Sequence, residues 1–259
     1  MLRLYPKILL MFRKIKHPKD GIISTKCNTI RKILRINKYI SHNSKYSRRD
    51  ADKFIEEGRV SVNRQVIKDF GYEVEDGDFV YLDSRPIKKR TETTVIVYNK
   101  PKGVLVTKKD DRGRATIYHK LSGKFRHFIP VGRLDYASEG LLILTDSPSV
   151  ATALMESNLP RTYNIKIDKP LSNDMMEAMK SGLVLDDARA GAHEKSKIRS
   201  MEFAPFDSYE VRGVNQSYTK LRVTIREGQN RELRRFFGHF EAKVLDLKRV
   251  AYGLSLIHI

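Results

Sequence analysis

Apolar positions along this chain are spaced so that short strands alternate with short helices. The sharpest signal is Leu141-Leu142-Ile143-Leu144, which follows Gly140 and stops at Asp146-Ser147-Pro148. So short an apolar run between turn residues predicts a buried strand. Upstream, residues 94–98 and 104–107 predict two more strands, parted by a turn at Asn99-Lys100-Pro101-Lys102-Gly103, because the residue before a proline is pushed out of the helical region. A loop at 110–114 and the stretch Phe128-Ile129-Pro130-Val131 then lead into Gly132-Arg133-Leu134-Asp135. Downstream, 150–156 predicts a helix, and 161–167 alternates with period two, which sets Tyr163, Ile165 and Ile167 on one face of a strand. Ser172 and Asp174 open a helix that carries Met175, Met176 and Met179 and ends at Gly182; methionines at that spacing belong to a core. Residues 195–203 and 220–226 predict strands. Asn230 is placed to cap a last helix with Leu233, Phe236, Phe237 and Phe240 at i, i+3, i+4 and i+7, and Arg231, Arg234 and Arg235 on a neighbouring face.

The first third is patterned differently. Leu34, Ile36, Tyr39 and Ile40 predict a short helix. A second opens at Ser47, where Ser47 and Asp50 have the spacing of a capping box, Ala51, Phe54 and Ile55 form the apolar stripe, and Gly58 stands at the stop. Residues 59–63 and 78–82 alternate as strands around a turn at Asp76-Gly77. Lys38, Lys45, Arg48, Arg49, Lys53 and Arg59 make the opposite face of this small unit basic.

Charge sharpens the picture. The chain has 50 Lys plus Arg against 31 Asp plus Glu, a formal net charge of +19. Such an excess favours a polyanionic partner, since each neutralised phosphate releases condensed counterions. Nucleic acid fits better than a membrane surface, because no apolar run reaches the roughly 18 residues that span a bilayer. Cys27 is the single cysteine, which excludes an intrachain disulfide or a cysteine-based zinc site and suits a reducing cytoplasm. His193 has no partner at metal-ligand spacing, so no metal site is expected. Residues 1–33 are acid-poor and basic, without a secretory pattern, and are expected to be a disordered leader.

Asp135 is the candidate for chemistry. It sits where a loop feeds a rigid core strand, although an aspartate in such a place can equally cap its own turn. The three arginines near 231–235 suit a phosphate or carboxylate, because a guanidinium binds such groups with a planar fork.

Two resemblances follow from these residues. Residues 35–40, the Ser47-Arg48-Arg49-Asp50 start and Gly58-Arg59-Val60-Ser61-Val62-Asn63 resemble the S4 RNA-binding domain, which implies RNA held by backbone and shape on the basic face. That module, Asn99-Lys100-Pro101-Lys102-Gly103, the Gly132-to-Leu142 stretch, Arg161-Thr162-Tyr163 and residues 227–235 together, in that order, resemble the pseudouridine synthases that modify one uridine of ribosomal RNA. The resemblance implies an α+β chain: a basic leader at 1–33, an S4 module at 34–87, a linker at 88–93, and a catalytic domain at 94–254 on a mixed, largely antiparallel sheet with surrounding helices. It makes Asp135 the catalytic acid, Tyr163 the aromatic that stacks on the target base, and Arg234 the charge partner of the acid. Arg133, Ser138 and Gly140 would hold the loop, Leu233 would line the pocket, and Arg231 and Arg235 would grip RNA with the S4 face. No cofactor or metal is implied. The implied partner is ribosomal RNA or an assembly intermediate, acted on by a monomer, with large-subunit RNA preferred and small-subunit RNA the alternative. A non-catalytic RNA-binding protein of ribosome assembly would need the charge and the S4-like module, but not Asp135, Tyr163 and Arg234 together. Two departures stand out: Phe236 and Phe237 follow the paired arginines where methionine is usual, and residues 255–259 are atypical of the family's continuation.

Overall fold

The computed structural model describes residues 23–28, 34–44, 46–89, 92–193, 196–253 and 255–256. Lys45, most of the leader, part of the linker and the last residues therefore lie outside the described residues. Two units follow each other, one small and one built on a nine-stranded sheet.

In the small unit, helices Ile36–Asn43 and Arg48–Glu56 pack on the antiparallel pair Val60–Val62 and Val80–Leu82. The capping box at Ser47 forms as its sequence dictates: Ser47 Oγ accepts from the Asp50 backbone N–H at 3.2 Å, and Asp50 Oδ2 accepts from the Ser47 N–H at 2.9 Å. Ile36, Ile40, Ala51, Ile55, Val60 and Val80 form a separate core beneath the helices. Each buried Ile or Val among them contributes about 1.5–3 kcal/mol by leaving water.

The large sheet runs Ile23–Asn28, Glu92–Lys100, Glu139–Thr145, Val244–Tyr252, Arg161–Ile167, Tyr218–Ile225, Ser208–Asn215 across its width. Neighbours are antiparallel except Glu139–Thr145 with Val244–Tyr252, so the sheet is mixed and largely antiparallel, and the chain is α+β. The apolar run at 141–144 is buried on both faces. Leu141 and Ile143 pack with Val95, Val97 and Leu154 under helix Pro148–Met155, whereas Leu142 and Leu144 join the main core with Ile165, Met179 and Phe236. That is why four consecutive positions are apolar where a half-exposed strand would alternate. Phe236 and Phe237 are fully buried, their rings 5.2 Å apart and nearly perpendicular, so the larger residues are absorbed into the core. Among the described residues no helix is long and apolar enough to cross a membrane.

The structure departs from expectation in several places. Residues 104–107 form no strand and make only an isolated bridge, Leu105 with Thr116. Of the expected strand 195–203, Lys195 lies outside the described residues and Met201–Phe203 is the paired part of the rest. Ser208–Asn215, which sequence pattern missed, is an edge strand whose residues are mostly exposed, so no hydrophobic alternation marks it. The leader, expected to be disordered, supplies the strand Ile23–Asn28, which pairs with residues 92–97. The free edge of Glu92–Lys100 offers unpaired N–H and C=O groups, and this strand satisfies them.

Candidate active site

Asp135 stands on the loop that enters Glu139–Thr145, beside a cleft of about 530 Å³. Burial changes from one residue to the next: Leu134 is buried and anchors the loop in the core, while the Asp135 side chain keeps 32% exposure and so can meet a substrate. The Ser138 N–H donates to the Asp135 carbonyl at 3.0 Å, closing the loop on itself.

The loop is also tied from outside. Lys100, at the end of Glu92–Lys100, is fully buried, and its Nζ donates to the carbonyls of Pro101 at 3.0 Å, Asp135 at 3.0 Å and Ser138 at 2.7 Å. The Gly103 N–H donates to the Tyr136 carbonyl at 2.8 Å. The turn at 99–103 thus grips the Asp135 loop at several points. Burial pushes the Lys100 pKa down to about 8, with the Asp135 and Glu139 charges opposing the shift. Across the strand pair, Lys100 faces Gly140, whose φ of +101° favours glycine. A Cβ on Gly140 would meet the Arg249 carbonyl oxygen at 2.2 Å, so this position needs a bare backbone.

Helix Glu232–His239 brings the charge partners. Arg231 Nη1 donates to Asp135 Oδ2 at 3.2 Å, and Arg234 Nε lies 3.4 Å from the same oxygen as an ion pair without hydrogen-bond alignment. Arg234 is buried and further held by the Val244 carbonyl at 3.0 Å and Ser138 Oγ at 3.3 Å. Its burial lowers the guanidinium pKa, and the Asp135 carboxylate opposes that. Tyr163 and Leu233 are both buried side chains that line the cleft with Asp135. The predicted set Asp135, Tyr163, Arg234, Ser138 and Leu233 is therefore gathered in one place, and Gly140 sits at the base of the loop.

Four predicted residues do other work. Arg133 is exposed on the cleft wall, so the loop is held by Lys100 and the Ser138 N–H instead. Arg235, expected to grip RNA, is fully buried and donates to the carbonyls of Asn230 and Ala188, to Ser196 Oγ and to Asn230 Oδ1. It points inward because the helix starts one residue later than its sequence suggests: Arg231 takes a left-handed φ of 54° at the N-cap position, and Asn230 accepts from Arg235 instead of capping. Arg231 is turned onto Asp135 and the Gly191 carbonyl. On the S4-like unit, Arg48, Arg49 and Lys53 are exposed and Lys38 is partly buried. Arg59, expected on the same basic face, is instead paired with both oxygens of Asp83 and with Glu57, over the Phe54 ring.

Glu232 was not singled out by sequence. It lines the cleft at 6% exposure, accepts the Gln229 N–H at 2.9 Å, and is pushed up to about 7 chiefly by burial. Among the described residues no group of three or more His, Cys, Asp or Glu could hold a metal ion.

Comparison with known proteins gives the family and the fold. The family model described as RNA pseudouridylate synthase matches residues 94–239, and that of the S4 domain matches residues 34–80. A Helicobacter pylori (strain J99) protein described as an uncharacterized RNA pseudouridine synthase is 51% identical over 222 residues, 85% of this chain and 84% of its own. The ribosomal large subunit pseudouridine synthase B of Bacillus subtilis (strain 168) is 29% identical over 221 residues, 85% of each chain. A solved pseudouridylate synthase, 22% identical, shares the fold over 87% of this chain and 91% of its own at a TM-score of 0.56.

Proposed function

This chain belongs to the RNA pseudouridylate synthase family and is a pseudouridine synthase with an S4 domain, and we propose that its substrate is one uridine of large-subunit ribosomal RNA. The relative named for the large ribosomal subunit supports that choice, and the basic S4 face supports a structured RNA. We read the domain limits as 34–87 for the S4 module and 94–254 for the catalytic domain. The enzyme acts in this reading as a cytoplasmic monomer on ribosomal RNA or an assembly intermediate.

The observation that carries the site assignment is how Asp135 is held. Both guanidiniums take Oδ2, and Oδ1 has no partner among the described residues. Oδ1 is then the oxygen that meets the substrate. The target uridine leaves its stack and enters the cleft, with Tyr163 as the platform for its ring and Leu233 as the apolar wall. The N1–C1′ bond breaks with the Asp135 carboxylate at the reacting centre, the uracil turns, and C5 bonds to C1′. The C5 proton is lost and N1 regains one, so atoms balance without redox. Arg234 and Arg231 keep the carboxylate oriented through these steps, and Lys100 fixes the backbone beneath it.

The test is carbodiimide labelling and primer extension on ribosomal RNA from cells lacking this protein, complemented with wild type or Asp135→Ala. Wild type is expected to restore a stop in large-subunit RNA and Asp135→Ala to leave it absent. A stop restored in small-subunit RNA would overturn the subunit, and a stop restored by the variant would overturn the residue.

A further inference from the structure

Two buried guanidiniums on the cleft wall have no part in holding Asp135. Arg249 is 4% exposed and Arg161 6%, and both line the cleft. They stand over the same ring: Cζ of Arg161 lies 5.0 Å and Cζ of Arg249 5.4 Å from the centroid of Tyr252. Among the described residues the Arg161 side chain donates to neutral oxygens alone, the carbonyls of Arg226 and Met155 and the Tyr252 hydroxyl. The Arg249 side chain makes one hydrogen bond among the described residues, Nε–H to the Leu141 carbonyl at 2.7 Å, and its buried Nη2 has no partner there. Neither forms an ion pair among the described residues, whereas Arg231, Arg234 and Arg226 each do.

Burying a cation without its counterion costs several kcal/mol, and an unpaired buried donor costs about 1–3 kcal/mol more. Neutral oxygens and the Tyr252 ring offset part of that. Glu232 acts on Arg161 through its charge without forming an ion pair, and burial pushes its carboxyl up to about 7. Glu156, Glu227 and Glu232 line the same cleft, yet among the described residues no carboxylate pairs with either guanidinium. In RNA the available anion is the phosphodiester, and Arg matches it in geometry as well as charge. Arg231 and Arg234 cannot serve, because they are already committed to Oδ2 of Asp135.

We propose that Arg249, supported by Arg161 across Tyr252, receives a phosphodiester flanking the target uridine and so sets how deep the nucleotide enters the cleft. This rests on the reading of the cleft as a uridine site. Arg249 is a binding residue for the backbone, distinct from the aspartate and its two arginines. Its position on Val244–Tyr252, directly opposite Tyr163 in the strand register, ties the phosphate to the base platform through a rigid sheet.

The experiment is calorimetric titration of the full chain with uridine 3′,5′-bisphosphate and with uridine. Wild type is expected to bind the bisphosphate more tightly than the nucleoside. Arg249→Gln is expected to weaken the bisphosphate by about tenfold or more and leave uridine unchanged, and Arg249→Lys, which restores a point charge, to recover part of the loss. Arg161→Gln is expected to act in the same direction, and it carries the comparison if Arg249→Gln fails to fold. Equal losses for the two ligands would make Arg249 a structural residue and overturn the proposal, as would a wild type that binds the bisphosphate no better than uridine, undetectable binding of both included. The titration involves no turnover, so failure to isomerise ribosomal uridine would sink the proposed function while leaving this result to stand on its own.

Discussion

The Lys100 ammonium donates to the Asp135 backbone carbonyl at 3.0 Å, so a buried cation at the end of a sheet strand helps to tie down the loop that presents the carboxylate. Lys100→Met would remove the Lys100 donor from the carbonyls of Pro101, Asp135 and Ser138, leaving the Asp135 carbonyl with the Ser138 N–H. The expected outcome is a loss of about 3 kcal/mol or more in stability, together with a fall in turnover larger than the fall in RNA affinity. Denaturant unfolding and single-turnover kinetics check it. A variant that melts like wild type and turns over normally would show that the loop is held by other interactions.

Glu232 makes stability depend on pH in a direction that can be worked out. Its pKa rises on folding from about 4.5 to about 7, so between those values the folded state binds more protons than the unfolded one. Stability from this group is therefore lost as pH rises from about 4.5 to about 7, by an amount on the order of 3 kcal/mol at most. Glu232→Gln keeps an acceptor for the Gln229 N–H and removes the titration. The difference in unfolding free energy between variant and wild type should grow in the variant's favour across that window and stay flat above it. A difference that does not change with pH would contradict the assignment.

Most of the fold was legible in the sequence because its strands and helices carry strong local patterns. The capping box at Ser47, the period-two run at 161–167 and the apolar run at 141–144 each appear where local chemistry puts them. Asp135, Tyr163, Arg234 and Leu233 were legible as a group only through resemblance, since their meeting depends on long-range register. Lys100 was not, because a lysine before a proline at the end of a strand reads as a solvated turn. Its burial comes from the pairing opposite Gly140, which no local pattern encodes. The fates of Arg231, Arg234 and Arg235 were also beyond helical spacing. A left-handed residue at the helix start and the acceptors on Ala188 and Ser196 decide which one turns inward.

Arg235 separates stability from RNA binding. With its guanidinium spent on Asn230, Ala188 and Ser196, Arg235→Met is expected to lower stability by about 2–4 kcal/mol, a drop of roughly 5–12 °C in melting temperature. RNA affinity measured well below that melting temperature should be unchanged. Weaker RNA binding by a fully folded variant would return Arg235 to the RNA-gripping set.

The S4 face is expected to act through charge alone. Replacing Arg48, Arg49 and Lys53 together by alanine should weaken RNA binding and reduce the slope of log affinity against log salt by about 0.7 for each phosphate no longer neutralised. Arg59→Ala should change that slope far less, because Asp83 and Glu57 already neutralise it. Filter binding across a salt series distinguishes the two, and an equal slope change from Arg59→Ala alone would place it back on the RNA face.

The central claim is that the Asp135 carboxylate carries out the isomerisation. Large-subunit ribosomal RNA transcribed with tritium at C5 of uridine reports it directly, because forming the C5–C1′ bond expels that hydrogen. The purified wild-type protein is expected to release tritium in proportion to RNA until the site is exhausted, and Asp135→Asn to bind the same RNA and release none. Release by Asp135→Asn at the wild-type rate would contradict the account.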